Sequence, residues 1–257
     1  SFQGRAFSNF YARIEGGRGL LQLLGYMVLV FGVAAAFEAV FRRFARNWQI
    51  LPPADLENLT LHETVQLLAQ RLTTQVVSVV IFALVARTVG RLVVPEVFYP
   101  TTQLVGIYLI TFPRLMLAFA FFFFALMNPE YRLLNVVTPI ARAFCLHQYW
   151  LAFLIGFSGA IQVFNTNNGV PAGEIRLGFW LNLALHIYLI AIFWKDRDAG
   201  VAMMRGADLD VTPMEERAAQ LYPFANIFMF VAVWWIINIV ASYGNFELLR
   251  ITRRWFY

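Results

Sequence analysis

The sequence predicts an all-α fold, a polytopic integral membrane helical bundle of about six transmembrane helices with amphipathic connectors. Three observations predict it. Of 257 residues, 60% are hydrophobic and only 14% are Asp, Glu, Lys or Arg, whereas an ordinary soluble domain carries about 25% charged residues. The apolar residues gather into blocks of roughly 20, and a helix rising ~1.5 Å per residue needs that length to cross a ~30 Å hydrocarbon layer. The 26 Phe and 7 Trp suit lipid contact and the interfacial aromatic belts. An outer-membrane barrel would show alternating segments of about ten residues instead, and the sequence has none.

The elements follow in order. Residues 1–18 mix Phe2, Phe7, Phe10 and Tyr11 with Arg5, Arg13 and Arg18, the composition of an interfacial amphipathic helix rather than a buried one. The first apolar block covers 20–41 and stops at Arg42, Arg43 and Arg46, basic side chains suited to anionic headgroups. Residues 49–71 open on Pro52 and Pro53, and Thr60 with Glu63 forms a capping-box pattern that starts an amphipathic helix.

The second block, 72–94, is rich in Val and Ile but too long and continuous for a strand. Arg87 and Arg91 near its end can snorkel. Further blocks cover 104–127, 144–164, 177–194 and 224–243, the fifth being the shortest and crossing only if it stands nearly upright or the layer thins. In the connector before the last block, Thr212, Pro213 and Glu215 make a second capping box with proline in the first turn. These spans form one transmembrane domain over 19–243. The basic tail 244–257, which contains Arg250, Arg253 and Arg254, reads as continuing into further sequence. Six spans place both termini on one side, while the basic residues divide almost evenly between the two sides and do not set orientation.

Polar groups inside apolar blocks are the candidates for function. Arg114 stands near the middle of its span, directly after Pro113. A central guanidinium is costly in lipid and a proline removes an intrahelical hydrogen bond. The pair therefore marks a kink facing protein, water or a thinned bilayer, with Glu38 of the first span as a candidate partner for Arg114. Asn182 and His186, four residues apart, share a helix face and suit helix-to-helix hydrogen bonding better than a metal site, which wants three or four ligands. Ser158, between Gly156 and Gly159, reads as close helix packing rather than as a nucleophile.

No phosphate-binding Gly-rich loop, zinc-binding His-Glu-x-x-His or nucleophile elbow occurs, so no enzyme activity, cofactor or metal is expected. Lone Cys145 makes no internal disulfide and suits packing. The net charge of +5 sits beside apolar blocks, which favours membrane lipids, including anionic headgroups, over nucleic acid as partners.

The connectors carry a resemblance. Asn128-Pro129-Glu130-Tyr131-Arg132-Leu133-Leu134, followed by Pro139 to Arg142, resembles the link between transmembrane helices in large bacterial channels of the small-conductance mechanosensitive channel family. Phe193-Trp194-Lys195-Asp196-Arg197 is similar to the basic exit of a later helix there. Leu221-Tyr222-Pro223-Phe224 with Trp234 and Trp235 stands where the next aromatic-rich helix of that family begins.

The resemblance covers roughly residues 120–243 and implies peripheral, tension-sensing helices of a homo-oligomer, heptameric in that family, in the bacterial inner membrane. Arg132 and Arg142 would anchor the linker near headgroups, and Lys195 and Arg197 would end their span at the cytoplasmic face. The Gly/Ala-rich pore helix and soluble β domain of that family are not found in these residues, so conduction would lie outside them. A membrane subunit of a transporter or lipid-handling complex fits the same composition, as does a structural or quinone-associated subunit of an energy-converting complex.

Overall fold

The computed structural model describes residues 2–47, 61–125, 132, 136–170, 176–205 and 211–242, and every regular element among them is helical. The Thr60 capping position and the tail 244–257 lie outside the described residues. The chain divides into two compact units, residues 1–179 and 180–257.

In the first unit α1 (Phe2–Arg13) is followed by α2 (Gly17–Arg46) and α3 (Leu61–Val93). Next comes a broken span made of α4 (Tyr99–Leu104), a π-helical segment (Val105–Thr111) and α5 (Phe112–Phe124). The last complete helix of the unit is α6 (Thr138–Asn167). Local chemistry sets the breaks. Glu15 and Gly16 both take positive φ, 58° and 78°, turning the chain between α1 and α2 in a conformation that glycine adopts without steric cost. α3 ends just before Pro95, and α6 begins with Pro139 in its first turn, where a missing amide costs nothing.

Side-chain meetings give the helix directions. Phe31 of α2 stacks on Phe82 of α3, with ring centroids 6.2 Å apart, while Glu38 of α2 meets Ser78 of α3. One number rises as the other falls, so α2 and α3 are antiparallel. By the same reading α5 and α6 are antiparallel, since Phe124 stacks on Phe144 whereas Tyr108 lies against Gly156 and Gly159. The buried cluster at one end contains Phe10, Ile14, Leu23, Val30, Phe82 and Phe98.

Within residues 1–18, expected as an interfacial amphipathic segment, α1 is two-faced. α1 buries one face through Ala6 and Phe10, continued by Ile14 in the turn after it, and Phe10 meets Phe164 of α6 edge-on at 5.1 Å. Asn9 Nδ2 donates to the Asn168 carbonyl at 2.9 Å, and an Arg13 guanidinium nitrogen donates to that of Asn167 at 3.3 Å. The carbonyls at a helix C-terminus have no amide of their own, so α1 closes the end of α6 while its other face stays exposed.

The second unit contains most of α7 (Arg176–Lys195), then α8 (Arg197–Arg205) and α9 (Pro213–Ser242). Aromatic pairs join α7 to α9: Phe193 with Phe230 at 5.3 Å and Trp194 with Phe224 at 6.2 Å. α8 occupies a stretch that the sequence suggested was only a polar connector, and its Arg205 pairs with Glu216 of α9. The capping box at Thr212 forms as expected: the Glu215 carboxylate accepts from the Thr212 amide at 2.8 Å, and Thr212 Oγ1 accepts from the Glu215 amide at 3.3 Å.

Five helices among the described residues are long and apolar enough to cross a membrane: Gly17–Arg46, His62–Val93, Tyr99–Phe124, Thr138–Asn167 and Pro213–Ile236. The chain is thus a multi-pass helical membrane protein. The expected sixth crossing corresponds to α7, whose stretch Trp180–Lys195 is apolar.

Candidate functional site: a polar joint on a broken span

The site begins with one buried carboxylate. Glu38 sits on the inward face of α2, with its side chain 6% exposed. Its Oε1 accepts from Ser78 Oγ of α3 at 2.6 Å and from Arg42 Nη2, one turn along α2, also at 2.6 Å. Arg114 Nη2 of α5 closes on the same oxygen. Ser78 also accepts, from Arg42 Nε at 2.8 Å, so its hydroxyl serves both charges. The Arg114 guanidinium lies 5.1 Å from the Phe82 ring centroid, within cation-π range. Three helices therefore meet at one carboxylate oxygen.

This arrangement answers the cost of Arg114. Its span suggested a mid-membrane position, yet packing sets it level with Glu38, one turn from the basic end of α2 at Arg42, Arg43 and Arg46. A guanidinium near that level has a carboxylate, a hydroxyl and an aromatic face beside it, and no longer faces hydrocarbon alone.

Pro113 acts through the π-helical segment before it. The Phe112 amide donates to the Ile107 carbonyl, five residues back, which is the π register. In that register Tyr108 would receive its bond from residue 113, and proline has no amide to give. The Tyr108 carbonyl instead lies against Gly156 of α6, so close that a Cβ there would stand 2.1 Å from the oxygen. At Gly159 a Cβ would come within 2.9 Å of the Tyr108 ring. The expected close packing around Ser158 is present, and its partner is this widened turn.

No protein-family model matches the chain, and neither a curated protein nor a solved structure matches it. What the site can do therefore rests on its own geometry.

The remaining candidates lie elsewhere. His186 is buried in α7, but its Nδ1 pairs with the Asn182 backbone carbonyl at 2.8 Å. This bond lies within one helix, to the carbonyl four residues back. A carbonyl only accepts, so Nδ1 carries the proton.

Arg132, expected near headgroups, also bonds within the chain: Nε donates to the Phe124 carbonyl at 2.8 Å, Nη1 to the Val136 carbonyl and Nη2 to Thr138 Oγ1 at 3.2 Å. It ties the end of α5 to the start of α6, satisfying a terminal carbonyl that would otherwise need water. Arg42 pairs with Glu38 while its side chain stays half exposed, and Arg43, Arg46, Arg142, Lys195 and Arg197 are exposed. Arg197 lies over the Trp194 ring at 5.3 Å. Among the described residues no group of three or more His, Cys, Asp or Glu gathers as a metal site would.

Proposed function

We propose that this chain supplies peripheral, lipid-contacting, tension-sensing helices of an oligomeric mechanosensitive ion channel in the bacterial inner membrane, with the pore formed outside this segment. The observation that carries the proposal is the joint at Glu38. It ties α2, α3 and α5 at one level by short, directional bonds, while most apolar positions of the five long helices stay unburied within the chain.

Lateral tension favours whichever state occupies more area in the bilayer. Helices that expose most of their length to lipid gain or lose area when they tilt. Short charged contacts either hold or part, so the joint can divide a continuous tilt into two arrangements. The π-helical segment gives the broken span a place to bend.

The test is patch recording of the full-length protein in liposomes at graded suction. The unaltered protein should open at a reproducible suction, and Arg114→Leu should shift that threshold. Arg43→Gln with Arg46→Gln should shift it in anionic but not in neutral lipid. Absence of suction-dependent current in the unaltered protein would sink the proposal.

A second reading, a transporter or lipid-handling subunit, draws on the broken span Tyr99–Phe124, since interrupted helices with polar groups line substrate paths. Substrate-dependent flux without tension dependence would favour it.

A further inference from the structure

We infer that the joint at Glu38 is also a binding site for the phosphodiester of an anionic bilayer lipid, which completes its charge. The inference requires only that the chain spans a bilayer, and it stands or falls apart from the tension reading.

The charges do not balance. Two guanidinium groups, Arg42 and Arg114, face one carboxylate, Glu38, and one hydroxyl, Ser78, which leaves one positive charge over. The excess is accessible from outside the unit, because the side chains of Arg42 and Arg114 are 53% and 29% exposed while that of Glu38 is 6% exposed. Among the described residues the ion pairs of both arginines run to Glu38 alone. The exposed positions of α2 just before Arg42 are Ala35, Ala36, Phe37, Ala39 and Val40, a surface for acyl chains and not for water.

An uncompensated guanidinium among acyl chains reaches for the nearest phosphate. The phosphate plane is close, since Arg43 and Arg46 follow within a turn on the same helix. Guanidinium donors not used on Glu38 can hold phosphate oxygens in the manner that makes arginine a phosphate-binding residue. Glu38 acts as the positioning residue: it holds two guanidinium groups from different helices at one level. A lipid of net negative charge satisfies the surplus, whereas a zwitterionic lipid brings its own cation and offers less.

The experiment is native mass spectrometry of the full-length protein in neutral maltoside micelles, titrated separately with phosphatidylglycerol and phosphatidylcholine, counting lipids retained per chain. Phosphatidylglycerol should be retained at lower concentration than phosphatidylcholine. Arg42→Gln and Arg114→Gln should each weaken its retention about tenfold, the size expected for one charge-assisted hydrogen bond. Arg42→Lys, which keeps the charge, should fall between them and the parent.

Arg87→Gln makes the same charge change on an exposed residue near the far end of α3 and should alter retention by less than about twofold. Equal retention of the two lipids, or equal losses in Arg87→Gln and Arg42→Gln, overturns the site. Displacement of the lipid by inorganic phosphate would assign the site to a soluble anion and overturn the lipid source. Retention is read without suction, so lipid binding in a protein with no tension response would leave this site standing and the tension reading fallen.

Discussion

Two joints hold the broken span in the first unit, and they work by opposite means. At Tyr108 the span meets α6 through bare backbone, with Gly156 and Gly159 admitting a carbonyl and a ring that any larger residue would push away. At Arg114, six positions on, it meets α2 and α3 through charges converging on Glu38. The glycine joint is steric and dense, so it has one good arrangement and resists change. The charged joint is built from bonds at full strength only at short range, and its side chains are long enough to exchange partners. The span is therefore fixed against α6 and adjustable against α2 and α3.

The largest effect is expected where the fixed joint is disturbed. Gly156→Val places a branched side chain where even a Cβ would stand 2.1 Å from the Tyr108 oxygen. Because the obstacle is backbone, α6 and the π-helical segment must separate, at a cost of about 3 kcal/mol, the upper part of the range for overpacked sites. Thermal unfolding of the full-length protein in micelles, followed by tryptophan fluorescence, measures it. A melting temperature within a degree or so of the parent would mean that the two backbones do not touch in the membrane.

Next in size is Glu38→Leu, which removes the acceptor common to the adjustable joint and leaves Arg42 and Arg114 facing each other. Losing one partner of a fully buried ion pair costs about 3–5 kcal/mol. Both arginines are partly exposed here and can turn outward, so about 2 kcal/mol is expected after that discount. The same melting experiment reads it, and a loss larger than that of Gly156→Val would reverse the assignment of fixed and adjustable joints.

The sequence made one half of each joint legible. Arg114 and Pro113 stood out because a charge and an imino acid are both anomalous within an apolar block, and Glu38 was the acidic residue available near the end of another block. Ser78 was not legible: a small hydroxyl among Val76, Val77, Val79 and Val80 has no feature separating it from ordinary packing, and its role depends on a neighbour 40 positions away. Proline announced a lost hydrogen bond but not that the strain would spread backward into a π turn over Val105–Thr111.

The docking of α1 on the end of α6 was not legible for the same reason, since the carbonyls it covers lie more than 150 positions along the chain. Short-range features fared better. The Thr212 capping box needed only residues three apart, and the glycine spacing of α6 announced a close approach without naming Tyr108 as the partner.

The smallest effect on stability is expected from Arg114→Leu, although that residue looked costliest in the sequence. With Arg114 gone, Glu38 retains Arg42 at 2.6 Å and Ser78 at 2.6 Å, and the joint changes from one surplus positive charge to none. No buried charge is left alone, so the penalty that makes Glu38→Leu costly does not arise. The protein loses the contact of the guanidinium with Phe82, about 0.5–1 kcal/mol at a partly exposed site, and gains from replacing a charge by an apolar side chain next to lipid. The two nearly offset, so the melting temperature should move by the equivalent of no more than about 1 kcal/mol in either direction. The link between α5 and α2 is nevertheless lost, and a variant of near-parental stability can carry an altered balance between states. Arg114→Glu separates charge from size: it sets a second carboxylate beside Glu38 with only Arg42 to serve both, and should destabilise the protein well beyond Arg114→Leu. If Arg114→Leu instead costs as much as Glu38→Leu, then Arg114 and not Arg42 is the principal counter-ion of Glu38, and α5 is held to α2 as firmly as it is to α6.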